Sequence, residues 1–183
     1  LKDVNFEIKS TDKVAIVGAN GAGKTTLFQT IFNNNNSSIE INENIKIGYL
    51  SQLQGQTLNY SNTIADEFFD IGFKTYDDIK EYLEGYNFDE ELLNQKIGTL
   101  SGGEKNLIQL AKISEVGADL LLLDEPTSHL DTYSQIALEK AIKNYKGAIL
   151  MVSHDYYTIA NCMDYVLFIE NKKIRKININ HFK

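Results

Sequence analysis

Eight residues near the amino end of the chain have the spacing of a phosphate-binding loop. Residues 18–25 read Gly-Ala-Asn-Gly-Ala-Gly-Lys-Thr, which fits the pattern G-x-x-x-x-G-K-[ST]. Glycines in this pattern let backbone N–H groups approach phosphate oxygens. The segment lies between an apolar run at 14–17 and a helix-like stretch at 25–32, so the positive end of a helix would point at the phosphates. The sequence therefore predicts a nucleotide-phosphate site rather than a chance glycine turn.

The elements that must position this loop alternate along the chain. Apolar alternation and apolar runs predict strands at 4–8, 13–18, 119–124, 148–152, 164–170 and near 173–179, with short strands within 39–50. Helical spacing predicts helices at 25–32, within 62–95, and at 102–115, 132–145 and 155–161. We therefore predict an α/β fold with a mainly parallel sheet flanked by helices and a short antiparallel β portion. A small helical subdomain at about 58–115 would be inserted in a single domain spanning 1–183.

Composition limits the classes of protein that fit. The chain has 183 residues, 43% of them hydrophobic, which is enough for one compact core. The single cysteine excludes an internal disulfide and favours a reducing, cytoplasmic setting. No apolar stretch approaches the ~20 residues that span a bilayer, and because the chain starts at Leu1 we expect a fragment of a longer protein.

Charge is unevenly distributed within the net value of −7. Ten acidic residues lie within 63–95, whereas 172–183 is basic and has no acid. The acidic segment is a poor surface for nucleic acid, and the basic tail could contact phosphate or lead into a linker. For both segments a solvated face is the favoured interpretation.

Three further motifs follow the loop and carry a family resemblance. Leu-Ser-Gly-Gly-Glu at 100–104 resembles the LSGGQ-type signature of ATP-binding cassette (ABC) ATPases, with Glu104 where glutamine is more usual. Residues 124–131 resemble their Walker B motif and D-loop, and Ser-His-Asp at 153–155 resembles their switch-histidine segment. The motifs occur in family order over nearly the whole chain, so the resemblance implies a P-loop NTPase of ABC type that is a Mg-dependent ATPase.

The resemblance implies a role for each motif residue. The residues implied to hold ATP are Gly18, Asn20, Gly21, Ala22, Gly23, Lys24, Thr25 and Thr26. The residues implied to bind Mg²⁺ are Thr25, Asp124 and Gln52. Glu125 would be the general base that orients the attacking water, with Gln52 as sensor of Mg²⁺ and the water and His154 in contact with the γ-phosphate.

Other motif residues are implied to act on a second cassette. Ser101, Gly102 and Gly103 would meet the γ-phosphate bound by a partner, within one longer chain or in a homodimer, and Asp131 would couple the two sites. The isolated domain would then be a weak ATPase. ABC cassettes usually stack adenine on an upstream aromatic residue, but Phe6 alternates with apolar neighbours as core residues do, so the stacking residue is predicted to precede Leu1.

Details of two motifs resemble the ABC-F subfamily of soluble tandem cassettes. Thr-Ser-His-Leu-Asp at 127–131 and Val-Ser-His-Asp-Tyr-Tyr at 152–157 have its form, although Ser128 replaces the more usual asparagine. This resemblance implies action on the ribosome, in translation or antibiotic resistance, without insertion in a membrane. Residues 53–97 are too short for the helical arm of a first cassette, which favours a second one. The alternatives are a subunit that energises a membrane transporter and a nucleotide switch that barely hydrolyses, the latter disfavoured by Glu125.

Overall fold

The computed structural model describes residues 5–34, 36–50 and 58–182. The chain divides into two compact units, which we call the sheet unit and the helical unit. The sheet unit comprises Leu1–Ser51, Ala118–Pro126 and Lys146–Lys183, and the helical unit comprises Gln52–Gly117 and Thr127–Tyr145. Within the described ranges no helix combines the length and the apolar character needed to cross a membrane.

The sheet unit contains one six-stranded sheet in the order β2-β3-β4-β1-β5-β6. Its strands are β1 Lys13–Gly18, β2 Ile47–Leu50, β3 Leu120–Asp124, β4 Ala148–Val152, β5 Tyr165–Glu170 and β6 Lys173–Asn178. The first five strands are parallel, and β6 pairs antiparallel with β5. The predicted α/β class, with a mainly parallel sheet and a short antiparallel portion, is confirmed.

Burial explains why the central strands read as continuous apolar runs. Every residue of β1 and β4 is buried, as expected for parallel strands whose two faces are covered. One face packs against helix α1, Lys24–Asn33, through Phe28 and Ile31. The other members of this buried cluster are Val14, Ile16, Leu122, Leu150, Val152, Tyr165, Leu167 and Ile169.

Two strand predictions were wrong in extent. Residues 5–8 form no strand, and in 39–50 only Ile47–Leu50 does. The alternation at 5–8 nevertheless reports burial, because Phe6 and Ile8 pack against the core cluster while Glu7 is exposed. Periodicity detects a covered face, but a strand also needs a hydrogen-bonded neighbour. Phe6 is therefore a core-packing residue, as predicted.

The helical unit holds four α-helices and two short 3₁₀ helices in its described part. The α-helices are α2 Ile64–Asp70, α3 Tyr76–Glu84, α4 Gly102–Val116 and α5 Thr132–Asn144, and the 3₁₀ helices are Glu90–Asn94 and Ile97–Thr99. The sheet unit adds α6, Tyr156–Cys162. Phe68 is fully buried and contacts the rings of Phe73 and Tyr82 in the core of this unit. Tyr76, in contrast, is 51% exposed.

A buried ion pair fixes α4 within the helical unit. The Lys112 ammonium of α4 binds the carboxylate of Glu67 in α2, whose side chain is only 3% exposed. The same carboxylate accepts a hydrogen bond of 2.8 Å from the Asn59 N–H. Because breaking a buried, hydrogen-bonded pair leaves an uncompensated charge, α2 and α4 are held as one body.

A close approach of two strands makes Gly18 a test of this architecture. A Cβ at Gly18 would lie 2.9 Å from the carbonyl oxygen of Ile169 in β5, so Gly18→Ala must displace backbone. We expect the free energy of unfolding to fall by about 1–3 kcal/mol, measured by denaturant titration. Gly102→Ala is the control, because its Cβ would meet nothing within 4 Å. Equal stability of the two variants would contradict the strand packing.

Candidate functional site

Three neighbouring parallel strands end at the same edge of the sheet and deliver the motif residues there. β4 lies between β3 and β1, and Val152 pairs with Asp124 on one side and with Ile16 on the other. The phosphate-loop residues follow β1, the acid pair ends β3, and His154 follows β4. The carboxyl edge of a parallel α/β sheet is where ligands bind.

The loop between β1 and α1 is tightly folded around the lysine that ends it. Gly21 and Gly23 have φ of 79° and 99°, values that favour glycine. The Ala22 N–H donates to the Ala19 carbonyl at 3.1 Å. Lys24 is 8% exposed, and its ammonium donates to the carbonyl oxygens of Gly18 and Ala19. The loop thus holds a buried cation against its own backbone carbonyl oxygens.

Helix α1 begins differently from the other α-helices in the described ranges. Five of the six are preceded by an N-cap residue whose side chain accepts a hydrogen bond from a backbone N–H of the first turn. These N-cap residues are Thr63, Thr75, Ser101, Asp131 and Asp155. The N-cap residue of α1 is Gly23, which has no side chain to accept such a bond. The first N–H groups of a helix have no intrahelical acceptor, and a helix start without a side-chain cap suits an anion. Asn20, Thr25 and Thr26 are exposed beside them.

Glu125 and His154 form the second part of the site. The Glu125 Oε1 atom lies 3.1 Å from His154 Nε2, and Oε2 accepts the His154 backbone N–H at 3.3 Å. Glu125 has a φ of 50°, and its N–H donates to the Val152 carbonyl at 2.8 Å. Burial raises the pKa of Glu125, while the His154 side chain and N–H act in the opposite direction.

Asp124 is half-buried beside Glu125 and has a partner that the sequence analysis missed. The Tyr49 hydroxyl donates to Asp124 Oδ2 at 3.5 Å. Burial raises the pKa of Asp124, and the Tyr49 hydroxyl and the Lys24 charge oppose the rise. Burial also raises the pKa of Tyr49. The contact depends on the pairing of β2 with β3, which motif spacing does not reveal.

Gln52, predicted as a sensor and Mg²⁺ ligand, lies outside the described residues. The residues 18–26, Asp124, Glu125 and His154 all belong to the sheet unit. In that unit the structure brings the buried Lys24 charge close enough to act on both carboxylates.

The signature residues form the beginning of α4 in the helical unit. The exposed Ser101 caps the helix, since its Oγ accepts the Glu104 N–H at 3.1 Å. Gly102 is exposed, and Gly103 is buried so closely that a Cβ there would lie 2.7 Å from Leu130 Cδ2. The signature and the D-loop segment therefore pack together.

Asp131 begins α5 in a comparable way. Its Oδ1 accepts the Ser134 N–H at 2.7 Å. Hydrogen bonding from the Ser134 N–H holds the pKa of Asp131 below its usual value. The carboxylate predicted to couple two sites is therefore a helix cap within this chain.

Comparison with known families decides what this arrangement is. A family model described as ABC transporter matches residues 1–128, which include the loop, the signature and the acid pair. The chain belongs to this ABC family. Proteins of this family bind ATP, and ABC cassettes are ATPases.

Individual relatives agree with that assignment. ABC transporter F family member 5 of Arabidopsis thaliana is 35% identical over 175 residues, covering 93% of the chain and 25% of the relative. Ribosome protection protein VmlR of Bacillus subtilis (strain 168) is 34% identical over 177 residues, covering 96% and 32%. The cassette thus spans about a quarter to a third of the length of these relatives. The F-family relative agrees with the ABC-F type predicted from 127–131.

A solved structure supports the fold. A dimeric ATP-binding cassette in a post-hydrolysis state with ADP and Pi bound matches with a TM-score of 0.72 at 22% identity. The match covers 98% of this chain and 90% of the other. The α/β architecture of the cassette is therefore that of ABC ATPase domains.

The raised pKa of Glu125 predicts a gain in stability when its charge is removed. A raised pKa means that the folded state binds more protons than the unfolded state between the ordinary and the raised value, so stability falls as the pH rises through that range. Glu125→Gln removes this loss and keeps hydrogen-bonding atoms. We expect Glu125→Gln to have a higher Tm than wild type near pH ~8, when both are free of nucleotide. Each kcal/mol gained in the free energy of unfolding should raise the Tm by about 2–4 °C.

The same gain should vanish near pH ~4, below the usual glutamate pKa of about 4.3. Thermal unfolding at both pH values measures it, with the exposed Glu43→Gln as control. A Tm lowered by Glu125→Gln at the higher pH would refute the burial argument.

Proposed function

We propose that this cassette binds Mg-ATP on residues 18–26 and hydrolyses it in a sandwich with a second cassette, as part of an ABC-F protein that acts on the ribosome. The observation that carries the proposal is the contact of Glu125 with His154 at the sheet edge that also holds Lys24. A carboxylate, an imidazole and an ammonium group then surround the place where a γ-phosphate would lie.

The phosphate loop supplies the binding energy in this proposal. The ammonium of Lys24 exchanges its carbonyl partners for the β- and γ-phosphates, a charge-assisted contact. The N–H groups of the loop and of the first turn of α1 donate to phosphate oxygens, with the Thr26 hydroxyl on the α-phosphate. The loop residues Gly18, Asn20, Gly21, Ala22 and Gly23 bring their backbone close to the ligand.

The oxygen donors at this edge fit Mg²⁺ as the proposed cofactor. The described residues contain no group of three or more histidine, cysteine or acidic side chains that could hold a metal ion by themselves. Mg²⁺ typically takes one or two carboxylates and completes its shell with substrate phosphates and water. Asp124 and the Thr25 hydroxyl are donors of this type, with Gln52 as a further candidate. The ion would neutralise charge on the phosphates.

Glu125 is the proposed general base. Burial raises the pKa of this carboxyl, which brings a base closer to the working pH. The hydrogen bond from the His154 N–H and the close contact of the His154 ring hold the Glu125 carboxylate in a defined direction. His154 is 53% exposed, so its ring can also reach a phosphate.

The helical unit is proposed to act on the nucleotide of the partner cassette. Ser101 is exposed at the start of α4, where a hydroxyl and the N-terminal end of a helix face outward. Gly102 leaves this surface without a side chain, and Gly103 lets the helix pack closely against Leu130. The partner is a second cassette, either within a longer chain or as a second copy.

The relatives favour a ribosomal role over a transporter subunit. One is a member of an F family, and another is named a ribosome protection protein. A cytoplasmic location would follow from such a role. The sequence of the complete gene tests this part, because a second cassette without a membrane domain is expected, and fused or adjacent membrane subunits would favour the transporter.

Two substitutions should separate ATP binding from hydrolysis. Lys24→Ala removes the phosphate contact and should weaken Mg-ATP binding at least tenfold in calorimetry. Glu125→Gln should leave binding in place and lower turnover by about 10²–10⁴-fold. The exposed Lys9→Ala is the control for loss of a lysine. Wild-type ATP affinity of Lys24→Ala would contradict the phosphate-binding role of Lys24. Wild-type turnover of Glu125→Gln would contradict the role of Glu125 as general base.

The sandwich predicts that activity depends on protein concentration. Specific ATPase activity of the isolated cassette should rise with concentration, and Ser101→Arg should abolish it while the Kd for ATP stays within about twofold, since closure assembles the catalytic site. Ser61→Arg, at another exposed serine of the helical unit, is the matched control. Constant specific activity on dilution below micromolar would show that one cassette suffices.

A further inference from the structure

Tyr49 lies on the face of the sheet that carries Asp124. It pairs in register with Leu122, and Asp124 is two residues farther along β3, so the three side chains share a face. Leu122 and Phe28 belong to one buried cluster, and Tyr49 packs against it. Tyr49 can therefore contact both α1 and the acid pair.

The ring of Tyr49 is held by α1. Its centroid lies 6.1 Å from that of Phe28 at an interplanar angle of 80°, and 5.5 Å from that of Phe32 at 50°. Phe28 and Phe32 are one turn apart on α1, so the ring contacts two successive turns. Edge-to-face contacts of this kind prefer a defined geometry. The position of the Tyr49 hydroxyl therefore depends on the position of α1.

The hydroxyl connects this ring to Asp124. It donates to Oδ2 at 3.5 Å, longer than the 2.7–2.8 Å usual for an O–H···O bond. The bond is weak, but it engages one carboxylate oxygen from the side of the helix. This contact orients the carboxylate, so that its second oxygen remains available to a ligand from a defined direction.

We propose that Tyr49 is a positioning residue that ties Asp124 to the phosphate-loop helix and so sets the affinity of the site for Mg²⁺. This inference rests on the proposed function, in which Thr25 at the start of α1 and Asp124 at the end of β3 share the cation. Groups that orient a metal ligand typically change metal affinity about 10–100-fold when removed. The length of the hydroxyl contact places Tyr49 at the low end of that range.

The test is the Mg²⁺ dependence of ATP binding by the full chain. Tyr49→Phe keeps the ring contacts and removes only the hydroxyl. Calorimetric ATP affinity, measured over a series of free Mg²⁺ concentrations, should require about tenfold more Mg²⁺ for its half-maximal gain. ATP affinity in excess chelator should stay unchanged. Phe32→Leu keeps the hydroxyl, loses a ring contact at a residue that is 45% exposed, and should shift the midpoint less in the same direction.

Tyr165→Phe is the matched control. Its hydroxyl also contacts a carboxylate of the sheet unit, Asp12 at 3.2 Å, but at the amino end of β5. Its Mg²⁺ midpoint should equal that of wild type. An unshifted Tyr49→Phe, or an equal shift in Tyr165→Phe, would overturn the proposal, and if Tyr49→Phe does not fold, an unshifted Phe32→Leu overturns it.

A fourth variant, Asp124→Asn, separates this inference from the proposed function. Asp124→Asn should itself lose most of the Mg²⁺ dependence of ATP binding. If it does while Tyr49→Phe binds as wild type, only the role of Tyr49 fails. If Asp124→Asn keeps the wild-type dependence, the assignment of Asp124 to the cation fails as well.

Discussion

The hydrogen-bond register of β4 with its two neighbours is the constraint on which the site depends. Val152 pairs with both Asp124 and Ile16, so β3 and β4 end level while β1 continues two residues farther, to Gly18. Its carbonyl also accepts the N–H of Glu125 just beyond the ladder. A shift of one residue would turn all the side chains of β3 to the opposite face, and Asp124 would no longer share a face with Tyr49 of β2.

Charge organises the groups that this register brings together. Lys24 is a buried ammonium supported by the carbonyls of its own loop, and its field offsets part of the cost of burying two carboxylates. A phosphate group that arrives at this edge meets one cation and two acids whose ionisation burial disfavours. The electrostatic cost of the site is therefore present in the folded chain before any ligand binds, as is common where function and stability conflict.

Local motifs made most of the fold and the phosphate loop predictable. The spacing at 18–25 and the leucine run before Asp124 specify the conformation of adjacent residues, and helices with Ser101, Asp131 or Asp155 at their start carry a capping signal. Features that depend on pairing across the chain were not predictable. The sequence indicated a strand at 4–8 because Phe6 and Ile8 alternate, yet the described part of that segment, residues 5–8, forms no strand. Tertiary context likewise determines two features of the acid pair. These are the contact of Tyr49 in β2 with Asp124 and the left-handed backbone of Glu125.

The uncapped start of α1 links the stability of the sheet unit to the energy state of its surroundings. A side-chain cap typically contributes about 1 kcal/mol to a helix, and α1 lacks one at the point where it contributes Phe28 and Ile31 to the core. In the proposed function, a bound phosphate would supply the missing acceptors. By mass action, a ligand at 100 times its Kd adds about 2.7 kcal/mol to the free energy of unfolding. If the proposed site binds ATP, the free energy of unfolding of the cassette would therefore rise with the nucleotide concentration.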